Sequence, residues 1–239
     1  MIYRRDVVKS AAMFAAGGLS LAKLVAAAPG QDAKALLESV VQRYASISSY
    51  QDSGSVTRYD GGESPYRIDF TNAYKSPSLF RFAFAVPHPY PPLRNIVAHY
   101  VLGFDGSAAY FRMKPQDQPE TKEASRNVGL AIAKGTGISS GAAHTISRLL
   151  LPDVGGLSIL DLVDMQSTEV AMIADVTCLS VTAQHPRGGE WKLWIEQDTL
   201  LIRKMTVRHD PDSESFSEEV HDDIRVNEPI EDREFSADT

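Results

Sequence analysis

The sequence has very little cysteine: Cys178 is the only one in 239 residues. A single thiol excludes an intramolecular disulfide, a Cys-x-x-Cys redox pair and a zinc site built from several thiolates. Cys178 falls inside a predicted strand, where a free cysteine usually packs as a small apolar residue. We therefore expect it to be part of the core and to have no chemical role.

The sequence also lacks a hydrophobic run long enough to cross a bilayer, because the weakly apolar segment at residues 11–21 is too short. That segment follows Tyr-Arg-Arg-Asp-Val-Val-Lys at residues 3–9, a pattern typical of twin-arginine export signals. Small residues then predict cleavage near Ala27 or Ala28. We predict a signal peptide at residues 1–28, a single domain at residues 29–239 and a periplasmic location. A basic N-terminus on an amphipathic membrane helix is the alternative.

Positive charge is scarce after the predicted signal peptide. The whole chain has a net charge of −7, and residues 1–28 hold four of its 24 basic residues and one of its 31 acidic residues. The remainder therefore has a net charge of −10. This balance argues against nucleic acid and anionic membrane surfaces as partners. We expect no transmembrane segment in the mature form.

Motifs for cofactors and metals are absent as well. The sequence contains no phosphate-binding loop, no dinucleotide fingerprint and no cysteine–histidine zinc pattern. His209 and His221 are each followed by aspartate, but the predicted hairpin separates them by roughly 20 Å. We therefore predict no metal and no cofactor, and we interpret this hairpin as solvated. Its charges are expected to form weak cross-strand ion pairs, Asp222 and Asp223 with Arg203, Lys204 and Arg225.

What the sequence does contain is a series of β-branched and aromatic segments between turn residues. In the second half of the chain these segments predict strands at residues 176–183, 191–196, 200–207 and 215–226. The connections between them are too short for a crossover helix, so the pairing is predicted to be antiparallel.

The first half of the chain has the same character. A helix is predicted at residues 31–46, followed by strands at 50–59, 66–74 and 79–86 and a hairpin formed by 99–104 and 108–113. In the third strand Phe80, Phe82 and Phe84 alternate, so they share one face of the sheet. This aromatic ladder is either filled core or the wall of a ligand cavity, and position in the sequence does not separate the two.

The segment between the two sets of strands differs in composition. Residues 121–133 and 142–151 predict helices, with a glycine-rich break at 135–141 and one further helical turn at 157–163. Two helices inserted between antiparallel strand sets suggest a lid over a sheet, and the glycines would allow the lid to move.

Three features carry a family resemblance: the pattern STEV…VTCLSV…GGEWKLWIEQDTLLIRKM, the pattern FDGSAAYF and a late aromatic residue, Phe235. With these features the chain resembles the lipoprotein-carrier (LolA/LolB-like) superfamily of exported bacterial proteins. The resemblance covers roughly residues 32–235. It implies an α+β fold, in which a curved antiparallel half-barrel of about ten or eleven strands has helices covering its concave face. In carrier members an inward arginine of an early strand holds the lid, and Arg58, Arg67 and Arg81 are possible counterparts here.

The resemblance implies a non-catalytic periplasmic protein that binds or carries a lipid or another amphiphile. The predicted cavity-lining residues are Phe70, Phe80, Phe82, Phe84, Tyr100, Trp191 and Trp194. One alternative is an envelope protein-interaction or sensor module on the same fold. A third is a serine hydrolase, because residues 137–141 match the G-x-S-x-G motif with Ser139 as nucleophile, followed by Asp161 or Asp164 and one of His185, His209 and His221.

Overall fold

The chain folds around one large antiparallel sheet, as the pattern of strands predicts. The structure, a computed structural model, describes residues 32–61, 64–210 and 212–238, so the predicted signal peptide lies outside the described residues. Eleven strands form one curved sheet that does not close into a barrel. The predicted α+β half-barrel is confirmed. Within the described residues, none of the helices has the length and apolar character needed to cross a membrane.

The described residues form the following elements. The strands are β1 Ser49–Tyr59, β2 Tyr66–Lys75, β3 Leu79–Pro87, β4 Val97–Phe104, β5 Ala109–Lys114, β6 Thr121–Ser125, β7 Val163–Ile173, β8 Val176–Gln184, β9 Glu190–Glu196, β10 Ile202–Arg208 and β11 Phe216–Val226. The helices are α1 Ala33–Ala45, α2 Val128–Ile138 and α3 Ala142–Leu150. Short 3₁₀ turns form at Pro91–Leu93, Ile159–Asp161 and Asp232–Phe235.

The order of the strands explains why helices cover one face. The sheet runs β6-β5-β4-β3-β2-β1-β11-β10-β9-β8-β7, so it consists of two meanders that join where β1 pairs with β11. Strands β6 and β7 are consecutive in the chain but lie at opposite edges, separated by ten interstrand spacings, or about 48 Å along the sheet. Residues 126–162 must therefore cross the sheet, and they do so as α2 and α3. The buried residues of both helices join the core formed by the concave face.

The first predicted helix of this crossing segment is wrong over its first half. Thr121–Ser125 forms the edge strand β6, which pairs with β5. Helix α2 begins only after Asn127, whose side chain accepts a hydrogen bond from the Leu130 N–H at 2.9 Å. The alternating polar residues before Asn127 belong to a strand that is exposed at the edge of the sheet.

The predicted glycine-rich break is also wrong at its start, because α2 continues through Gly135 and Gly137 to Ile138. A Cβ at Gly135 would overlap the Leu102 side chain of β4. Gly135 therefore allows α2 to pack closely on the sheet. Strand β7 was not predicted as an element, whereas the further helical turn is confirmed as the 3₁₀ turn Ile159–Asp161.

Gly54, near the middle of β1, allows two rings to meet across the strand. Gly54 pairs with Phe70 of β2 on one side and with His221 of β11 on the other. The rings of Phe70 and His221 pack edge to face with their centroids 5.4 Å apart. A Cβ at Gly54 would overlap the ring of Phe70 and the carbonyl oxygen of Val220. The absence of a side chain therefore joins the aromatic residues of the first meander to β11.

We expect Gly54→Ala to destabilise the protein by about 1–3 kcal/mol, the usual cost of overpacking a core. At roughly 2–4 °C per kcal/mol for a chain of this size, the melting temperature should fall by several degrees. Gly137→Ala is the matched control, since Gly137 is exposed on α2 and a Cβ added there would have no other atom within 4 Å. Alanine is the better helix former by about 1 kcal/mol, so the control should match or exceed the native stability in thermal unfolding. Equal melting temperatures for Gly54→Ala and the native protein would contradict this account.

Candidate functional site

A cavity of about 290 Å³ lies between α3 and the inner faces of β9, β10 and β11. This volume is near the lower end of the ~300–1,000 Å³ typical of small-molecule sites. A second hollow of about 410 Å³ adjoins it and extends toward Arg58. The residues that border both hollows are Thr136, Ser140, Gly141, His209 and Ser217.

Secondary-structure periodicity places the side chains that line the cavity. On α3 the lining residues follow helical spacing, so they share one face of the helix: Gly141, His144, Thr145, Arg148 and Leu149. On the strands, alternate residues point inward: Trp191 on β9, Met205 and Val207 on β10, and Ser217 and Glu219 on β11. Leu157 and Ile159 complete an apolar wall from the segment after α3.

A buried polar cluster lies beside this cavity, where the two meanders join. Its charged members are Asp52 of β1 and Glu219 and His221 of β11, all less than a tenth exposed. The Nδ1 atom of His221 lies 2.7 Å from Oδ2 of Asp52. Its Nε2 atom lies 3.1 Å from Oε1 of Glu219, a close ion pair without hydrogen-bond geometry. Both ring nitrogens thus face carboxylate oxygens, as expected for a doubly protonated imidazole.

Hydrogen bonds connect this cluster to the neighbouring strand and to a helix. Asp52 accepts from the Asn72 side-chain amide at 2.7 Å and from the Tyr50 hydroxyl at 2.7 Å. Glu219 accepts from the Thr145 hydroxyl of α3 at 2.9 Å. The polar contact between the sheet and α3 is therefore made by a carboxylate that also borders the cavity.

The carboxylates determine the charge of His221. Burial alone lowers the pKa of an imidazole, but the hydrogen bond to Asp52 and the proximity of Glu219 outweigh it and raise the pKa of His221 to about 10. Burial also raises the pKa of Tyr50 well above its usual range, with a further contribution from the negative charge of Asp52. The cluster therefore contains a cationic histidine between two carboxylates and a neutral tyrosine.

Sequence reasoning missed this cluster and interpreted His221 as solvated, which is wrong because the residue is 1% exposed. The expected ion pairs with Asp222 and Asp223 are also wrong in their partners: Lys204 pairs with Glu218 and Arg203 with Glu196. The sequence did indicate that Asp52 faces the core, since strand alternation places it on the same face of β1 as Tyr50 and Val56. Among the residues that the structure describes, no group of ligand side chains is arranged to hold a metal ion.

The predicted lining residues lie in three places. Phe70, Phe82, Phe84 and Tyr100 form a continuous stack with successive ring centroids 4.9–5.4 Å apart, within the first meander. Phe80 is adjacent and, like Phe82, has no exposed surface. Trp191 borders the cavity, and its ring stacks on His185 at 5.6 Å. A ligand-lining role for the aromatic ladder stays a prediction.

Trp194 lies on the face of the sheet opposite to Trp191. Its ring is flanked by the ammonium groups of Lys192 at 4.9 Å and Lys204 at 5.0 Å, which are cation–π contacts. The two tryptophans are three residues apart in β9, so strand alternation separates them. The structure therefore does not bring Trp194 together with the residues that line the cavity.

Within the described residues, none of the three arginines considered as lid contacts bonds to the helices, although Arg58 borders the second hollow beside residues 136–141. Arg58 pairs with Asp60 and Arg67 with Asp69, both at exposed positions. Arg81 alternates with Phe80 and Phe82, so it lies on the opposite face of β3. The contact from the sheet to α3 comes instead from Glu219.

Ser139 lies between two helices and not between a strand and a helix. It ends α2, is fully buried, and its hydroxyl accepts a hydrogen bond from the Ala143 N–H of α3 at 3.0 Å. The G-x-S-x-G motif of a hydrolase requires a strand before the nucleophile and an exposed hydroxyl. The Ser139 hydroxyl therefore joins the end of α2 to the first turn of α3.

The elevated pKa of His221 predicts a pH dependence of stability. Below about pH 6.5 the imidazole is protonated in both the folded and the unfolded states. Between pH 6.5 and about 10 only the folded state retains this proton, so the free energy of unfolding should fall as pH rises through this range. Urea unfolding across this range tests the slope, and NMR titration of the His221 ring tests its charge directly.

Glu219→Gln is the informative control for this titration. The amide oxygen can still accept from Thr145, but one of the two carboxylates facing His221 is lost. The pKa of His221 should then decrease. The fall in stability should still begin near pH 6.5, but it should end at a lower pH and be smaller in total. An imidazole that titrates near pH 6.5 in the folded native protein would disprove the charged cluster.

Comparison with known proteins identifies the fold. The chain aligns with LprF from Mycobacterium bovis with a TM-score of 0.52 at 11% identity, covering 86% of this chain and 97% of that one. It aligns with the lipoprotein LppX from Mycobacterium tuberculosis with a TM-score of 0.44 at 13% identity, covering 84% and 99%. For a LolA superfamily protein from Nitrosomonas europaea the TM-score is 0.35 at 12% identity, covering 86% and 98%.

No protein-family model matches the chain, and the search of curated proteins finds no significant relative. At the identity shared with LprF, structural likeness establishes the fold and not the ligand. The resemblance read from the sequence is confirmed at this level: the chain has the curved, helix-covered half-barrel that the resemblance implies.

Proposed function

We propose that the chain is a non-catalytic binding or carrier protein for a lipid or another amphiphile. The observation that carries this proposal is the cavity between α3 and the sheet. Its wall contains the apolar side chains of Leu149, Leu157, Ile159, Trp191, Met205 and Val207. Burying an acyl chain there contributes about 0.8 kcal/mol per methylene group. About ten buried methylene groups would supply ~8 kcal/mol before the costs of association.

The arrangement of α3 suits the entry of such a ligand. Its polar contact with the sheet beside the cavity is the hydrogen bond between Thr145 and Glu219. Helix α2, in contrast, is packed closely on β4 at Gly135. We infer that a ligand enters by displacing α3, while α2 stays in place on the aromatic half of the sheet.

The proposed location is the periplasm, with export by the twin-arginine route. Support comes from the paired arginines at residues 4–5, followed by Lys9 and the short apolar segment at residues 11–21. A carrier of amphiphiles in that compartment would shield an acyl chain from water between membranes.

A second candidate function is a protein-interaction or sensor module. The edge strand β7 favours it, because Val170 and Met172 are half exposed or more and lie on a strand that, among the described residues, pairs only with β8. Exposed edges of this kind can accept a strand from a partner protein. A stoichiometric protein that co-purifies, in the absence of any lipid, would favour this function over the carrier.

Native mass spectrometry of the protein purified from a bacterial envelope tests the proposed function directly. We expect an added mass in the range of one lipid molecule, and organic extraction should release that molecule for identification. A bare protein mass, together with no uptake of added fatty acids, would contradict the carrier function.

Filling the cavity should abolish this binding without loss of the fold. Ser217 borders both hollows and pairs with Val207 of β10, so the ring of Ser217→Phe would occupy the space where the hollows meet. We expect at least a tenfold weaker uptake of a fluorescent fatty acid and an unchanged circular dichroism spectrum. Ser217→Ala is the matched control and should bind as the native protein does. Equal binding by Ser217→Phe would place the ligand elsewhere.

A further inference from the structure

We propose that the ligand is a single-chain amphiphile with an anionic head group, and that Arg148 and Arg187 bind this head group. The inference rests on the proposed function, because it assigns the chemistry of the ligand in the same cavity. The head group is assigned as anionic because basic residues predominate around the cavity, whereas acidic residues predominate in the chain as a whole.

The ionisable residues that line the cavity are mostly basic. They are His144, Arg148, His185, Arg187 and His209, against the single acid Glu219. Glu219 is already engaged by His221 and Thr145. Over residues 29–239, in contrast, acidic residues outnumber lysine and arginine by ten. A basic rim on an acidic protein favours an anionic ligand at this place.

The two arginines of the rim lack anionic partners. Among the described residues neither Arg148 nor Arg187 takes part in an ion pair, whereas Arg67 and Arg203 are each paired with a neighbouring carboxylate. Arg148 reaches only the Pro152 carbonyl oxygen, at 3.4 Å, and its Nε is buried without a hydrogen-bond partner in the described part of the chain. A buried guanidinium donor without an acceptor is costly, and a carboxylate or phosphate oxygen would satisfy it.

The residues around the cavity are arranged as an amphiphile requires, with basic side chains near the surface and apolar side chains buried. Arg187 and His209 are exposed, and Arg148 is intermediate. Leu149, Ile159, Met205 and Val207 are buried. The apolar wall thus lies deeper than the basic rim, so a chain in the cavity would place its head group beside Arg148 and Arg187. A volume of about 290 Å³ favours one acyl chain over several.

Three amphiphiles with the same 16-carbon chain and different head-group charges test this assignment. Palmitate, hexadecanol and hexadecyltrimethylammonium would each displace the neutral fluorophore N-phenyl-1-naphthylamine from the protein, at concentrations below micelle formation. We expect palmitate to bind at least tenfold more tightly than either of the others. The preference should shrink at high salt, because exposed charges are screened.

The double variant Arg148→Gln with Arg187→Gln should weaken palmitate binding tenfold or more and change hexadecanol binding less than twofold. The control carries the same change in net charge on the opposite face of the sheet, as Arg67→Gln with Arg225→Gln, and should keep the native preference. Equal binding of palmitate and hexadecanol by the native protein, or a double variant that keeps the preference, would overturn the anionic assignment and leave the carrier function intact. Failure of all three amphiphiles to displace the fluorophore would instead refute the carrier function itself.

Discussion

The ion pair between His221 and Asp52 is the interaction on which the arrangement of this protein depends. It lies where β1 pairs with β11, so it crosses the junction between the two meanders. Removing two charges from water is costly unless hydrogen bonds satisfy the remaining polar atoms. Asn72 of β2 and Tyr50 of β1 supply those bonds to Asp52, and Thr145 of α3 donates to the neighbouring carboxylate of Glu219. Helix α1 is tied to the same place through Tyr44, whose ring packs on Tyr50 at 5.9 Å. The cluster thus fixes three strands and α1 relative to one another, and a single hydrogen bond connects it to α3.

The two sides of this junction are packed differently. On the side of β2 to β5, large aromatic rings fill the concave face, and Gly135 lets α2 approach closely. On the side of β10 and β11, the inner faces carry smaller or polar side chains such as Val207 and Ser217, and α3 does not fill the space above them. The cavity therefore arises from the difference in side-chain volume between the two meanders, within one continuous sheet.

Sequence reasoning succeeded where local patterning decides structure. Alternation of Phe80, Phe82 and Phe84 placed them on one buried face, and short turns gave the antiparallel pairing. It failed for Thr121–Ser125, where a polar strand at the edge of the sheet carries no hydrophobic periodicity. It predicted the strand β11 but not its burial, because the inner face carries Ser217, Glu219 and His221. A polar set at alternate positions is typical of a solvated face, and only the pairing with Asp52, 169 residues away in the chain, shows it to be buried.

Local sequence patterns also could not predict the position of the cavity. Trp191 could be identified as an inward-facing candidate, but the basic rim combines residues from α3, the turn after β8 and the end of β10. These segments are far apart in the chain, and their meeting follows from the crossing of residues 126–162 over the sheet. That crossing is itself a consequence of β6 and β7 lying at opposite edges, which no single segment specifies.

The join between β1 and β11 also has a consequence for the order in which the chain folds. Each meander consists of strands connected by short turns, so its contacts are local and close quickly. The β1–β11 ladder instead closes a loop of well over a hundred residues, with a larger entropic cost. We therefore expect the two meanders to form first and their union to be the slow step. Water leaves the charges of Asp52 and His221 only at that last step, so the barrier to folding combines loop closure with the desolvation of an ion pair.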